Sequence, residues 1–262
     1  MTARRRVIGA MILAAGRGER MRPLSDDTPK PMLEAGGKPI VAWQIEALAR
    51  AGFTDIVVNA AHLAERLVAA IGDGASFGVR VRWSIEPGPL EAAGGIATAL
   101  PLLPRGPVLV VSGDVWTEFD YATLIPRAEI MARDPASPRV HLVMVPRTTA
   151  HPRGDFVLRN GMLALEGDDR QVYGNIGLHD TALFARIARL TRRPMLPLWQ
   201  DWIRRGWVSG ELYEGQWANV GTPAELAALD TLLRVRKEPV VPAQAGTQRR
   251  SSKDTGSPPS RG

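Results

Sequence analysis

Leu13-Ala-Ala-Gly-Arg-Gly-Glu-Arg-Met-Arg-Pro-Leu24, followed by Thr28-Pro-Lys-Pro31, decides the fold. The run before it, Ala10-Met-Ile-Leu13, is uniformly apolar and reads as a buried strand. That strand empties into a glycine loop. Gly16 and Gly18 let backbone N–H groups converge on an anion without side-chain clash. Arg20 adds a bidentate fork and Lys30 a point charge. Pro29 and Pro31 stiffen the chain around Lys30 and limit where its ammonium can go. The segment reads as a triphosphate cradle. A lone G-x-G also fits an ordinary turn or half of a dinucleotide fingerprint, but Met21 stands where the third glycine of that fingerprint belongs.

Working outward, short apolar runs alternate with amphipathic stretches. Strands are expected at 56–58, 79–83 and 108–111, and helices at 40–51, 63–71 and 94–102. That alternation predicts an α/β fold: a mostly parallel, Rossmann-like sheet with helices on both faces. The second half is more mixed. It predicts a strand at 141–145, a hairpin of 156–158 and 162–165 around Asn160-Gly161, and helices at 182–190, 198–205 and 223–233. It forms a small antiparallel addition to one domain, residues 1–236. Residues 237–262, rich in Pro, Gly, Ser, Gln and Arg, are expected to be a disordered basic tail.

The charge excludes one function class. The chain carries +6 with a pI near 10.3. Arg4, Arg5 and Arg6 contribute three of those charges. The tail, with five cations and two anions, contributes another three, so residues 7–236 are neutral. A nucleic-acid footprint places its cations on a folded face, so no nucleic-acid partner is expected. No apolar run reaches the ~18–20 residues of a membrane span, so no membrane partner is expected either. Three arginines before an apolar run imitate a secretory signal, but the charged, glycine-rich continuation argues against one. Cysteine is absent; this removes thiolate and disulfide chemistry and agrees with a cytoplasmic location.

Asp114, in Ser112-Gly113-Asp114, follows a buried strand and falls at the mouth of the sheet, where α/β proteins bind ligands. It is a loop cap or a ligand-binding acid. Glu91-Ala-Ala-Gly94-Gly95 is a helix start or a place where a base lies against backbone. Asn59 is a turn residue or a nucleoside contact. His62, His141 and His179 show no ligand spacing and read as structural or surface residues.

Leu13-Ala-Ala-Gly-x-Gly-x-Arg-Met with Pro29-Lys30-Pro31 resembles the signature of the sugar-1-phosphate nucleotidylyltransferases, and the resemblance runs to about Leu233. It implies transfer of a nucleotidyl group from a nucleoside triphosphate to a sugar 1-phosphate, with Mg²⁺ as cofactor and pyrophosphate as the leaving group. It also implies roles for particular residues. Leu13, Ala14, Ala15, Gly16, Gly18, Asn59, Gly94 and Gly95 surround the nucleotide, and Arg20 and Lys30 contact phosphates. Asn175, in Gly174-Asn175-Ile-Gly177, contacts the sugar. Asp114 holds the metal, with Asn219 where the family usually carries a second metal-binding aspartate. Blocks such as His151-Pro-Arg-Gly-Asp-Phe156 and Val220-Gly-Thr222 look most like members that use UTP and N-acetylmuramate 1-phosphate. For those members Arg153 and Asp155 become candidates for the lactyl-bearing sugar. Mannose 1-phosphate with GTP, glucose 1-phosphate with dTTP, and a nucleotide-binding regulator without turnover are the competing readings. The oligomeric state is left open.

Overall fold

In β1 (Ala10–Leu13) successive side chains point to opposite sides of the sheet. Ala10 and Ile12 enter one buried cluster, and Met11 enters another. A strand buried on both faces must be apolar throughout, which explains the composition of this run. The structure, a computed structural model, describes residues 8–236. The expectations for the arginine-rich start and for the tail after 236 lie outside the described residues.

After β1 come α1 (Leu24–Asp27), β2 (Glu34–Ala35), β3 (Lys38–Pro39), α2 (Ile40–Arg50), β4 (Asp55–Ala60), α3 (Ala64–Ile71) and β5 (Arg80–Ile85). Then follow α4 (Glu91–Ala99), β6 (Pro107–Ser112), β7 (Val115–Thr117), α5 (Leu124–Arg133) and β8 (Val140–Val145). The chain continues through β9 (Phe156–Arg159), β10 (Met162–Ala164), β11 (Arg170–Asp180), α6 (Leu196–Arg204), β12 (Val208–Leu212), β13 (Trp217–Asn219) and α7 (Pro223–Val235).

The main sheet has nine strands in the order β5-β4-β1-β6-β11-β8-β12-β10-β9. From β5 to β6 every pairing is parallel. Beyond β6 the sheet changes character. β11 runs antiparallel to both β6 and β8, β12 runs parallel to β8, and the β9–β10 hairpin closes the edge. The fold is therefore α/β with a mixed sheet; the mostly parallel sheet expected from the sequence holds only for the first four strands. Helices do cover both faces. α2, α3 and α5 pack Val41, Ile45, Leu48, Leu67, Ile71 and Leu124 on one face. On the other, α4 and α6 bury Ala93, Ile96, Trp202 and Ile203.

A third cluster joins α7 to the loop after β1 through Met21, Leu33, Trp116, Leu229 and Leu233. α7 begins with a capping box. The Thr222 hydroxyl accepts from the Glu225 N–H (3.3 Å), and the Glu225 carboxylate accepts from the Gly221 N–H (2.7 Å). Pro223 fills the first helical position, where a missing N–H costs nothing.

Two local expectations need correction. The helix expected at 182–190 is only a short 3₁₀ stretch, Thr181–Phe184, and the chain then turns through Leu190 at φ 60°. Its apolar spacing serves burial of Phe184 without a continuous helix. The helix expected at 94–102 starts earlier, at Glu91, and ends at Ala99 in a 3₁₀ turn containing Pro101. The hairpin matches: Asn160 and Gly161 both have positive φ, 50° and 75°, as a two-residue turn of matching twist requires. Among the described residues no helix is long and apolar enough to cross a membrane.

Candidate active site

The carboxyl ends of β1, β4, β5 and β6 lie side by side, and the chain leaves each of them with a polar residue or a glycine. β1 runs into the glycine loop, β4 ends by Asn59, β5 is followed by Glu86, and β6 is followed by Asp114. A cleft of about 330 Å³ opens there, bordered by Leu13, Gly16, Lys30, Glu86, Leu90 and Asp114. Ala14, Ala15 and Gly18 border it too. A second, wider cavity of about 650 Å³ continues from it past Gly18 and Lys30 and adds Arg17, Arg20 and Arg192.

Gly18 sits at φ 68°, and a Cβ there would stand 3.0 Å from the Lys30 side chain. The glycine thus supplies both the left-handed turn and the room for Lys30 to pass beneath the loop. At Gly16 a Cβ would meet nothing within 4 Å, so that part of the loop faces open cleft. Lys30 Nζ forms an ion pair with Asp114 Oδ2; the two side chains are 12% and 26% exposed. The loop's cation and the strand-end acid are therefore neighbours across the cleft, although 84 residues separate them in sequence.

Asn59 is only 3% exposed, and both ends of its amide are engaged. Its Oδ1 accepts from the Ala14 N–H (2.7 Å), and its Nδ2 donates to Glu86 Oε1 (2.7 Å). Glu86 Oε2 accepts from the Leu90 N–H (3.3 Å). Asn59 is thus a brace that ties the glycine loop to the β5 end. Burial pushes the Glu86 carboxyl above its ordinary range, and its bonds to Asn59 and Leu90 oppose that shift.

Gly94 and Gly95 lie in the first half of α4. Both are buried and packed against protein. A Cβ at Gly94 would come within 2.3 Å of the Thr191 carbonyl oxygen, and one at Gly95 within 2.7 Å of Asn59 Nδ2. These glycines admit the 190s backbone and the Asn59–Glu86 brace. The cleft wall near them is made by Glu86, Pro89, Leu90 and Glu91. Glu91 has φ 62°, a strained position for a side-chain-bearing residue, and pairs with Arg192 at the mouth of the wider cavity. Arg192 and Glu86 escaped the sequence reading. The rule that found Asp114, an acid just past a buried strand, also finds Glu86. Arg192 has no comparable signal, because it reaches the site only through the 190s loop.

The sugar candidates lie beside β11. Asn175, at φ 59°, follows Gly174 where the β11–β8 register shifts, a bulge beside the carboxyl end of β6. Asp155 accepts from the Tyr173 N–H (2.8 Å), so its carboxylate holds the bulge strand in place. Arg153 is exposed beside it.

For the metal, Asp114 offers a carboxylate inside the cleft. Asn219 adjoins it along the chain's path, since the Val220 N–H donates to the Asp114 carbonyl (2.9 Å). Yet the Asn219 side chain borders a different cavity, and its buried Oδ1 has no hydrogen-bond partner. No second acid completes the set: Glu86 is held by Asn59 and the Leu90 N–H, Glu91 pairs with Arg192, Asp155 is committed to Tyr173, Asp201 pairs with Arg205, and no cluster of three acids or histidines occurs among the described residues. Asp114 beside Lys30, with Arg17, Arg20 and Arg192 in the adjoining cavity, fits a cation that arrives already coordinated by phosphates.

Residues 9–151 match the model of the family described as "Nucleotidyl transferase". The chain belongs to this family. Its similarity to one member extends much further. It is 40% identical over 227 residues to an N-acetylmuramate alpha-1-phosphate uridylyltransferase of Neisseria meningitidis, covering 85% of this chain and 97% of that protein. A mannose-1-phosphate guanyltransferase of Schizosaccharomyces pombe is also 40% identical, but over 118 residues, 44% of this chain and 32% of the other. Among solved structures, a Bacillus anthracis protein crystallised with sucrose superposes with a TM-score of 0.74 at 19% identity, covering 87% of this chain and 95% of that one. That likeness supports the fold.

Proposed function

We propose that this family member transfers the uridylyl group of UTP to N-acetylmuramate 1-phosphate and releases pyrophosphate, in the cytoplasm and in the service of cell-wall sugar recycling. The observation that carries the choice of sugar is coverage. Similarity to the muramate enzyme covers 85% of this chain and 97% of that protein, whereas similarity to the guanyltransferase covers 44% of this chain and 32% of the other.

In this reading the triphosphate lies along the glycine loop, with Arg20, Lys30 and Arg192 around its phosphates. The base sits by Glu86 and Leu90. Asn59 acts through Ala14 and Glu86 by fixing the loop against the base wall. The sugar phosphate enters from the β11 side, over the Gly174–Asn175 bulge, and one of its oxygens displaces pyrophosphate from the α-phosphorus in line. A phosphate monoester loses its second proton near pH ~6, so at neutral pH the nucleophile is already ionised. No general base is needed, and no histidine of this chain is asked to act as one. Catalysis then consists of positioning and charge neutralisation.

Mg²⁺, held by Asp114 and the phosphates, would supply charge neutralisation at the transferred group. For this Lys30 must exchange Asp114 for a phosphate, which the short reach between them permits. The test is pyrophosphate release across a matrix of four triphosphates and the 1-phosphates of N-acetylmuramate, N-acetylglucosamine, glucose and mannose. UTP with N-acetylmuramate 1-phosphate is expected to be the most efficient pair. Equal efficiency on N-acetylglucosamine 1-phosphate removes the muramate assignment.

A further inference from the structure

We infer that the cavity between the segment 148–151 and α7 is the subsite that receives the acylamino and lactyl-ether substituents of the sugar, with Asn219 as the hydrogen-bonding residue that reads the acylamino N–H. The inference rests on the muramate reading above and says which part of the molecule recognises what sets that sugar apart.

The cavity has a volume of about 270 Å³. One wall carries Thr148 and His151, the floor is Trp217-Ala218-Asn219 of β13, and the far wall is Ala228 and Leu232 of α7. Two hydrogen bonds attach its floor to the site already described. At one end the Val220 N–H donates to the Asp114 carbonyl (2.9 Å); at the other Trp217 Nε1 donates to the Gly174 carbonyl (2.8 Å), inside the bulge that carries Asn175. The cavity therefore adjoins both the end of the cleft where the metal-bound phosphate is placed and the bulge where the sugar is placed.

Its chemistry suits a substituted amino sugar. Ala218, Ala228 and Leu232 offer an apolar wall to methyl groups. Asn219 Oδ1 is buried with no donor, and buried polar atoms in folded proteins are overwhelmingly paired. An acylamino N–H is a donor of the right kind. His151 and the nearby Arg153 offer positive charge or N–H donors to a carboxylate. Glu225 also borders the cavity, but its carboxylate already accepts from the Gly221 N–H (2.7 Å). A plain hexose has hydroxyls where these substituents stand and would leave the apolar wall unused.

Two variants test this. Ala228→Trp fills the cavity from an exposed helix position, so the fold should tolerate it. Asn219→Asp keeps the shape and puts a negative charge next to an anionic substituent. In both, KM for N-acetylmuramate 1-phosphate should rise about tenfold or more, KM for UTP should stay within about twofold, and KM for glucose 1-phosphate should change far less. The half-saturating Mg²⁺ concentration of Asn219→Asp should match the wild type. Saturation-transfer NMR with N-acetylmuramate 1-phosphate alone should show contacts from its acetyl and lactyl methyl protons that weaken in Ala228→Trp. If the wild type uses N-acetylmuramate 1-phosphate but neither variant changes its KM, the subsite is wrong while the functional reading stands. A drop in the Mg²⁺ requirement of Asn219→Asp without a change in sugar KM overturns it too, and assigns Asn219 to the metal. If the wild type rejects N-acetylmuramate 1-phosphate and uses another sugar, both readings fall together.

Discussion

The two halves of the sheet are built differently, and under the proposed function the difference maps onto the two substrates. From β5 to β6 the strands are parallel, all their carboxyl ends fall on one edge, and the loops leaving β1, β5 and β6 there each deliver cleft residues. A parallel array with crossover helices produces such an edge automatically, and the nucleotide is assigned to it. From β11 to β9 the strands are mostly antiparallel and have no common carboxyl edge. A site there has to be made by local irregularity: the Gly174–Asn175 bulge, the Asp155–Tyr173 bond and the β7–β13 ribbon. In the proposed function the regular half handles what is common to all nucleoside triphosphates. In that same proposal the irregular half is where the sugar is recognised.

The largest expected effect tests the regular half. Lys30→Ala and Arg20→Ala should each lower kcat/KM by about 10²–10³, the usual loss on removing one preorganised charge from such a site. Melting temperatures should barely move, because Arg20 is exposed and Lys30 lies in the cleft. If either variant keeps more than about a third of wild-type activity, its phosphate role is wrong.

A second prediction separates stability from function within the irregular half. His179, on β11, pairs with Val108 near the start of β6, at the end of the sheet away from the cleft. It is buried, and Trp199 Nε1 donates to its Nε2 (3.2 Å). Burial pulls its pKa down to about 4, against a bond to the Gly177 carbonyl that raises it. The unfolded chain therefore takes up a proton near pH ~6.5 that the folded chain refuses. The stability tied to this group is complete above that pH and is lost as pH falls toward 4, by about 3 kcal/mol over the window. His179→Gln keeps an acceptor for Trp199 and removes the titration. Thermal melts from pH 7 to 4 should fall less steeply for the variant, with kcat/KM at pH 7.5 unchanged. Parallel pH curves for the two proteins contradict this.

The smallest effect belongs to neither half. Composition alone makes the segment after Lys237 unable to build a core. Deleting it should leave the melting temperature and both KM values within error. A clear loss would give its cations a role.

How much could be read in advance follows the same division. Residues 10–13, 56–58 and 108–111 were legible because burial on both faces leaves an unbroken apolar run inside β1, β4 and β6. The eleven-residue β11 was not: Arg170-Gln-Val-Tyr-Gly-Asn-Ile-Gly-Leu-His-Asp180 carries two polar residues at its start and a bulge in its middle, which shifts the alternation halfway along. β12, Val-Ser-Gly-Glu-Leu, hides its burial behind a serine and a glycine for a similar reason. In the site, Lys30, Arg20 and Asp114 were legible because each sits beside a local signal. The packing of Gly94 and Gly95 was not legible because its reason is long-range: the Thr191 carbonyl and the Asn59 amide occupy the space a side chain would need.

The most direct test of the central claim follows the label in UTP. Purified protein is incubated with Mg²⁺, N-acetylmuramate 1-phosphate and UTP labelled at either the α- or the γ-phosphate, and the products are separated. Attack at the α-phosphorus puts the α-label into a UDP-sugar and the γ-label into pyrophosphate in equal amounts, and Asp114→Ala should yield neither. A γ-label found on the sugar or as inorganic phosphate, or an unchanged pool of UTP with every sugar phosphate offered, would contradict the account.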